Sequence, residues 1–212
     1  GELLIAVADM RATDELTVSD LGRVPALLGG AGALVVDANL RAEVVGWLLA
    51  AAAEAGVIAV LEPVSVAKAT EAARAIDGTV PVHTVTPNVD ELSAMVARRV
   101  EDTPESVAAA AALLHERGVE HVWVRRGIRG SLLSTRGERV RIVRVAAPAV
   151  DVVDVTGAGD SMTADVVRAA RHGQVLAALT CASSETVRPD LTAALVAAQL
   201  TPSEPATEEI HP

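Results

Sequence analysis

Short apolar runs alternate along the chain with longer segments in which apolar residues recur every three or four positions. The short runs are rich in Val, Leu and Ile, which is typical of strands buried on both faces of a parallel sheet. The longer segments have helical periodicity and commonly end near Gly or Pro. The predicted strands are Leu3–Ala8, Ala33–Val36, Val57–Leu61, Val82–Val85 and His121–Val124. The predicted helices are Ser19–Leu28, Leu40–Ala55, Ala67–Ile76, Val89–Val100, Pro104–Arg117, Ala158–Arg171, Val175–Ser184 and Leu191–Leu200.

This alternation, with short connections, predicts an α/β fold: a three-layer sandwich whose mostly parallel central sheet has helices on both faces. The runs Ser131–Ser134 and Arg139–Val145 are more polar and are joined by a short turn, so they predict an antiparallel hairpin appended to the sheet. Residues 1–200 are therefore expected to form one domain. The tail 201–212 is rich in Pro, Thr and Glu and is predicted to be disordered.

Composition excludes several classes of protein. Half of the 212 residues are apolar, enough for one domain with a substantial core, yet no apolar run is long enough to span a membrane. The formal net charge of -10 and the absence of Phe and Tyr argue against a nucleic-acid-binding surface. The single cysteine, Cys181, excludes a disulfide framework or a cysteine zinc cluster. With no visible leader, it favours a cytoplasmic location.

Polar side chains follow several predicted strands, at the edge where α/β sheets bind ligands. They are Asp9, Asp37, Asn39, Glu62, Ser65, Lys68, Asn88 and Glu91. Any of them can equally cap a helix, and Asn39 and Ser65 are placed as N-caps. Asp9, Asn39 and Lys68 are candidates for contacting a substrate or phosphate. The five histidines show no metal-like spacing and are expected at the surface or at helix ends.

A Gly-Ala-Gly-Asp run, Gly157 to Asp160, opens one predicted helix. Its small side chains leave backbone N–H groups open to an anion at the positive end of the helix. A carboxylate at Asp160 is unexpected in a pure anion site, but it suits the deprotonation of a hydroxyl beside a phosphate. The alternative is a plain glycine-rich turn, with Asp160 in the first helical turn and favoured by the helix dipole.

Two further segments follow predicted strands. In Thr86–Glu91, Asn88 and Glu91 have the spacing of a capping box, and they also suit phosphate and Mg²⁺ binding, the latter in part through water. In Val122–Gly130, a strand runs into a turn with glycines at 127 and 130. This turn either leads simply into the hairpin or brings backbone and arginine side chains close to a nucleotide.

Together these three segments resemble the ribokinase-like, PfkB-type carbohydrate and nucleoside kinases. Thr86–Glu91 resembles the T-P-N-x-x-E segment of that family, and Asp154–Asp160 resembles its D-T-T-G-A-G-D motif. Four other segments resemble its pseudouridine kinase branch: Gly1–Met10, Asp37–Leu40, Glu62–Ser65 with Lys68, and Ser184–Val187 with Pro189. The resemblance covers nearly all of residues 1–200.

The resemblance implies a ribokinase-like fold and transfer of phosphate from ATP to a primary hydroxyl, in this branch the 5′-OH of pseudouridine. Asp160 would then be the general base, and the anion hole would be Gly157, Ala158 and Gly159. The nucleotide would contact Asn88, Arg126, Gly127 and Gly130. Glu91 would serve Mg²⁺, and Asp154 and Thr156 would lie at a monovalent cation such as K⁺. Relatives often dimerise, so a homodimer is also expected.

Among the departures of the sequence from the family, two bear most on function. Arg125-Arg126 stands where relatives commonly have Thr-Leu, which suggests that the part of the site facing the nucleotide differs from theirs. The N-terminal part of the family, with its sugar-binding Gly-Gly motif and β-sheet lid, has no counterpart, so the kinase domain is expected to be N-terminally incomplete.

Other functions stay open on the sequence alone. One is a kinase for another nucleoside or for a free sugar of the ribose or fructose type. Another is a truncated protein that binds a nucleotide without transferring phosphate. A dinucleotide-dependent dehydrogenase is disfavoured, because its G-x-G-x-x-G turn should follow the first strand, where Asp9-Met10 stands instead.

Overall fold

The computed structural model describes residues 9–137, 140–149 and 156–164, together with residues 151, 153, 179, 192, 194, 195, 209 and 210. The helices are α1 Arg11–Asp14, α2 Val24–Leu28, α3 Ala42–Glu54, α4 Val66–Ala75, α5 Val89–Met95, α6 Pro104–Glu116 and α7 Ala158–Ala164. The strands are β1 Ala33–Asp37, β2 Ile58–Glu62, β3 Val82–Val85, β4 Val119–Arg125, β5 Ser131–Thr135, β6 Arg141–Val145 and β7 Glu209–Ile210. A 3-10 turn, Gly127–Arg129, connects β4 to β5.

The seven strands form one sheet in their order along the chain. Strands β1 to β4 are parallel, with Leu61 of β2 opposite Val85 of β3, and Thr84 of β3 opposite His121 of β4. Strands β5, β6 and β7 are each antiparallel to the strand before them. Five strands, β1–β4 and β6, therefore run in one direction, and both the mostly parallel sheet and the predicted hairpin β5–β6 are confirmed.

Helices cover both faces of this sheet. Alternate residues of a strand face opposite sides. On one side, Ala59 and Leu61 of β2 belong to the main hydrophobic cluster, which contains buried residues of α3, α4 and α6. On the other side, Glu62 accepts a hydrogen bond from Thr163 of α7. The structure therefore has three layers, as the sequence predicts.

Three predicted helix boundaries are wrong. Helix α2 begins at Val24 rather than Ser19, because Pro25 is tolerated only in the first turn of a helix. Helix α5 ends at Met95 rather than Val100. The Ser93 hydroxyl accepts a hydrogen bond from the Val100 amide, which turns the chain away from the helix axis.

Helix α3 begins at Ala42, and its N-cap is Arg41 instead of Asn39. The Asn39 side chain and amide both donate to the carboxylate of Asp37, at 3.1 and 3.0 Å. Ser65 is an N-cap as predicted, since its hydroxyl accepts from the Lys68 amide of α4.

Parts of the predicted fold lie largely outside the described residues: the strand Leu3–Ala8, residues 165–171 of one helix, and the helices Val175–Ser184 and Leu191–Leu200. Two residues of the tail 201–212 form β7, with Ile210 opposite Ile142 of β6. In the part of the chain that the structure describes, no helix has the length and apolar character needed to cross a membrane.

Candidate active site at the carboxyl edge of the sheet

The carboxyl ends of β2 and β4 meet in a buried ion-pair network. A terminal nitrogen of Arg125, Nη2, donates to Glu62 Oε1 at 2.6 Å and to Glu91 Oε2 at 3.1 Å. The side chains of Arg125, Glu62 and Glu91 are only 14%, 8% and 5% exposed. One guanidinium thus pairs with two carboxyl groups that are largely withdrawn from water, an arrangement that is sustained only by good hydrogen-bond geometry.

Asn88 and Glu91 form the capping box that their spacing predicts. The Asn88 side-chain oxygen accepts from the Glu91 amide, and Glu91 Oε2 accepts from the Asn88 amide, both at 2.8 Å. The box begins α5 and fixes the Glu91 carboxylate against Arg125. The backbone of Arg125 is held to the same segment, because its amide donates to the carbonyl of Pro87 at 2.8 Å.

The second oxygen of Glu62 joins the sheet to α7. Glu62 Oε2 accepts from the hydroxyls of Thr86 and Thr163, each at 2.6 Å. Both hydroxyls are buried. Thr163 was not predicted as a member of the site, and no local pattern identifies it, since it lies 101 positions from Glu62. In the structure it lies one helical turn beyond Gly159 and is buried.

The Gly-rich turn lies against this network. Gly157 has a positive φ of 74°, and α7 begins at the next residue. A side chain at Gly159 would place its Cβ 2.6 Å from Nη1 of Arg125, so the guanidinium occupies the space that this glycine leaves open. Asp160 follows in the first turn of α7 with its side chain exposed, and Thr156 is also exposed. Asp154 lies outside the described residues.

Arg125 therefore connects two segments that the sequence singled out separately. It bonds to Glu91 of one and packs against Gly159 of the other. The structure brings the three residues together, although Arg125 was noted only as a departure from the family pattern. No sequence signal indicates its role, because its partners Glu62 and Glu91 lie 63 and 34 positions away.

The turn after β4 is held by a second ion pair. Arg126 donates through Nε to the carboxylate of Asp102 and through Nη2 to its backbone carbonyl at 3.1 Å. The Arg126 side chain is only 6% exposed, and Arg129 pairs with the other carboxylate oxygen of Asp102. Arg126 was predicted to contact a nucleotide; in this structure its charge is matched by Asp102.

The two glycines of this turn differ in what surrounds them. Gly127 has φ +57° and open space around the position of a Cβ. Gly130 has φ +79°, and a Cβ there would lie 2.0 Å from the carbonyl oxygen of Val145. Gly130 is therefore required by the close approach of β6. Gly127 faces a cleft, where backbone remains accessible to a ligand.

An open cleft of about 970 Å³ lies beside Asn88, Arg125 and Gly127. Its other lining residues are Val66, Val89, Asp90, Ser93, Ala94, Ala97, Arg98, Arg99, Val100, Glu101, Asp102, Arg126 and Arg129. Five arginines and three acidic residues line a cleft in a chain whose net charge is -10. Arg98 is exposed and has no ion-pair partner among the described residues. This surface suits an anionic ligand, and sequence analysis did not single out Arg98, Arg99 or Asp102.

The three candidate substrate contacts are engaged elsewhere. The Lys68 ammonium lies 3.8 Å from the Asp14 carboxylate. Asn39 bonds to Asp37, as described above. Asp9 is exposed and accepts from Arg11 at 2.9 Å, and that hydrogen bond lowers the pKa of the Asp9 carboxyl. None of the three lines the cleft.

Burial controls the protonation of Glu91. Desolvation raises the pKa of its carboxyl above the usual value, against the lowering effects of the Asn88 amide and the Arg125 guanidinium. The neighbouring Glu62 carboxylate acts in the same direction as burial. The Arg125 guanidinium therefore partly offsets the effect of burial on the pKa of Glu91.

The fold, the basic cleft and the Gly-Ala-Gly-Asp turn define a ribokinase-like α/β protein. Residues 7–192 match the model of the pfkB family of carbohydrate kinases. The chain belongs to that family.

Individual relatives agree with this assignment. The chain is 28% identical to pseudouridine kinase of Escherichia coli K12 over 174 residues, which is 77% of this chain and 50% of that protein. Among solved structures, it is similar to a carbohydrate kinase from Agrobacterium tumefaciens with a TM-score of 0.70 and 27% identity, over 94% of this chain and 64% of that one. Ribokinase of Arabidopsis thaliana, complexed with ribose and ATP, matches with a TM-score of 0.64 and 24% identity, over 82% of this chain and 56% of that one. The chain thus spans about half the length of its curated pseudouridine kinase relative.

Proposed function

We propose that the full-length protein transfers the γ-phosphate of ATP to a primary hydroxyl of a sugar or nucleoside, with the 5′-OH of pseudouridine as the favoured acceptor. The observation that carries the proposal is the junction at Arg125. It joins the capping box of Glu91 to the Gly-rich turn before Asp160, beside a basic cleft. The preference for pseudouridine is supported by the similarity to the Escherichia coli enzyme.

In this mechanism Asp160 is the general base. The acceptor oxygen forms a bond to the γ-phosphorus as the bond from that phosphorus to the bridging oxygen of ADP breaks, and the hydroxyl proton moves to the Asp160 carboxylate. An exposed carboxylate in the first turn of α7 is accessible to such a hydroxyl. The amides of Gly157, Ala158 and Gly159 would stabilise the negative charge of the transferred group. The nucleotide would extend along the cleft past Asn88, Gly127 and Arg126.

The carboxylates of Glu62 and Glu91 fit a divalent cation. Both offer oxygen ligands of the kind that Mg²⁺ prefers, and their ion pairs with the Arg125 guanidinium support a role in holding positive charge. Glu91 is the residue that would hold the ion, directly or through water. Bound Mg²⁺ would supply neutralisation of the phosphate charge. Asp154 and Thr156 are proposed for a monovalent cation such as K⁺.

The test is ADP release by the full-length protein with ATP, Mg²⁺ and K⁺, in the presence and absence of pseudouridine. Asp160→Asn should lower acceptor-dependent turnover by about 10²–10⁴-fold, the contribution of a general base. Asp151→Asn is the matched control, since Asp151 is also exposed and lies just before the motif. It should leave turnover unchanged.

Three other results would revise the proposal. Faster turnover with ribose, uridine or fructose would support a kinase whose acceptor is that compound and not pseudouridine. Equal turnover in Asp160→Asn and the wild type would show that Asp160 is not the general base. Saturable ATP binding with no acceptor-dependent ADP release would favour a nucleotide-binding protein without transferase activity.

A further inference from the structure

A second cluster of polar side chains lies at the amino edge of the sheet, away from the cleft. It consists of His83 of β3 and Glu120 and His121 of β4, whose ligand atoms all lie within 4.8 Å of one another. The two imidazole rings are 4.8 Å apart between centroids and are tilted by 60°. The sequence did not predict this grouping, because His83 and His121 are brought together only by the pairing of β3 with β4.

Hydrogen bonds orient both imidazole rings. Nδ1 of His83 bonds to the Thr84 hydroxyl at 2.8 Å, and Nδ1 of His121 bonds to the Thr135 hydroxyl at 3.1 Å. When Nδ1 carries the proton and donates it, the lone pair of the neutral ring is on Nε2. Threonine hydroxyls thus act as outer partners that fix the ring orientation, as the partners of metal-binding histidines do.

The third donor is close to the same point. Nε2 of His121 lies 3.6 Å from Oε1 of Glu120. Donors about 2.0–2.1 Å from a tetrahedral ion are about 3.3 Å from one another, so a modest rotation of Glu120 would complete the arrangement. That rotation is open to it, because the Glu120 side chain is 59% exposed.

The cluster is independent of the proposed kinase site. His121 and Arg125 are four residues apart on β4, about 13 Å at the usual rise of a strand. The donors and their threonine partners come from three adjacent strands, β3, β4 and β5, whose pairing fixes their spacing. His83 and His121 are only partly buried, so an ion can reach them from solvent.

We propose that His83, Glu120 and His121 form a binding site for a divalent transition metal ion of the Zn²⁺ class. Two imidazole nitrogens and one carboxylate favour Zn²⁺, Co²⁺ or Ni²⁺ over Mg²⁺, which prefers an all-oxygen shell. Water completes the coordination. The ion links β3 to β4 at the edge of the sheet opposite the cleft.

The test is a Zn²⁺ titration by calorimetry, on the full chain without a polyhistidine tag. One equivalent should bind with micromolar or tighter affinity, and a large excess of Mg²⁺ should not displace it. His83→Gln and His121→Gln should each weaken binding at least tenfold. His172→Gln, which removes an imidazole from elsewhere in the sequence, should not change it.

Absence of micromolar binding in the wild type, or equal affinity in His83→Gln, would overturn the proposal. If a variant fails to fold by circular dichroism, modification of the wild type with diethylpyrocarbonate provides the second test. Zn²⁺ should protect His83 and His121 from modification. Equal modification with and without Zn²⁺ would also overturn the proposal.

Discussion

At the carboxyl edge of the sheet, Arg125, Glu62 and Glu91 are almost entirely withdrawn from solvent, and one guanidinium pairs with both carboxyl groups. At the amino edge, His83 and His121 are half-buried, Glu120 is exposed, and both rings are oriented by neutral threonine hydroxyls. The same strand, β4, contributes to both. One sheet thus carries a buried cluster held by ion pairs and a partly exposed cluster held by neutral hydrogen bonds.

The difference lies in what each cluster contributes to folding. Buried charges are stable only while their partners are present, so residues of the carboxyl edge act in stability and in the proposed chemistry together. Partly exposed imidazoles and a surface carboxylate cost little to leave unpaired. At the amino edge, therefore, ligand binding and folding should be separable by mutation.

The largest expected effect is the loss of Arg125. Arg125→Met should lower the free energy of unfolding by about 3–5 kcal/mol, because Glu62 and Glu91 would stay buried without a counter-charge. Urea unfolding followed by circular dichroism at pH 7 measures it. Arg74→Met is the matched control, since Arg74 makes a 2.6 Å ion pair with Glu71 at the surface.

The control variant should lose no more than about 1 kcal/mol. Adding Glu62→Gln and Glu91→Gln to Arg125→Met should recover part of the loss, since the unmatched charges are then removed. Equal destabilisation by Arg125→Met and Arg74→Met would show that burial does not raise the cost of losing an arginine at the carboxyl edge.

A smaller effect should appear as a pH dependence from His115. Its ring is 4% exposed and bonds to the Val119 carbonyl through Nδ1 and to the Ser134 hydroxyl through Nε2, each at 2.8 Å. His115 lies in the last turn of α6, one of the two places expected for the histidines, but its ring is buried rather than at the surface. Burial lowers the pKa of His115, assisted by the positive charge of Arg136 and opposed by the Val119 carbonyl.

A lowered pKa means that the unfolded chain binds a proton that folded His115 does not. The free energy of unfolding should therefore fall as pH falls below about 6.5, by at most about 1.4 kcal/mol per pH unit for this group. Urea unfolding of the metal-free protein between pH 7.5 and 5 measures the slope. The free energy of unfolding should depend less steeply on pH in His115→Gln than in the wild type. Identical slopes would contradict the assignment.

The next effect concerns the cap of α5. Asn88→Ala removes the side chain that accepts from the Glu91 amide, and should cost about 1 kcal/mol of unfolding free energy. Ser65→Ala at α4 is the control, where the equivalent hydrogen bond is longer at 3.4 Å. Thermal unfolding compares the two. A smaller loss for Asn88→Ala than for Ser65→Ala would show that the capping box adds nothing at the carboxyl edge.

Local patterns predicted the elements on which both edges are built. Strand β3 has the predicted bounds, and the capping box follows from the three-residue spacing of Asn88 and Glu91. Both depend on interactions within a few residues, such as β propensity and side chain to backbone hydrogen bonds. The same holds for the hairpin β5–β6.

The composition of each cluster could not be predicted in this way. Arg125 meets Glu62 and Glu91, and His83 meets His121, only after parallel strands pair through long connections. The sequence gives the type of each residue and the end of the strand on which it lies, but not which distant side chains become neighbours. The end of α5 was missed for a different reason, because it is set by a single hydrogen bond between Ser93 and Val100 that the hydrophobic pattern does not indicate.

The smallest expected effect on stability is at the amino edge. Glu120→Gln replaces an exposed carboxylate that lies 3.6 Å from Nε2 of His121, too far for a hydrogen bond. In metal-free protein the free energy of unfolding should change by less than about 0.5 kcal/mol, as for an ordinary surface substitution. Because an amide is a poorer ligand than a carboxylate, Zn²⁺ affinity should nevertheless fall at least tenfold. Urea unfolding with chelator, paired with a Zn²⁺ titration, measures both quantities in one variant.

Glu105→Gln is the control for this experiment, since Glu105 is equally a surface carboxylate, in the first turn of α6; it should leave Zn²⁺ affinity unchanged and lower stability by no more than about 1 kcal/mol, the contribution of the helix dipole. If Glu120→Gln lost as much stability as Arg125→Met, the amino edge would be part of the folding core, and ligand binding there would not be separable from folding. If stability and Zn²⁺ affinity were both unaffected, Glu120 would not be a ligand. Loss of affinity at constant stability is the outcome that distinguishes a binding site added to the sheet from a charge network on which the sheet depends.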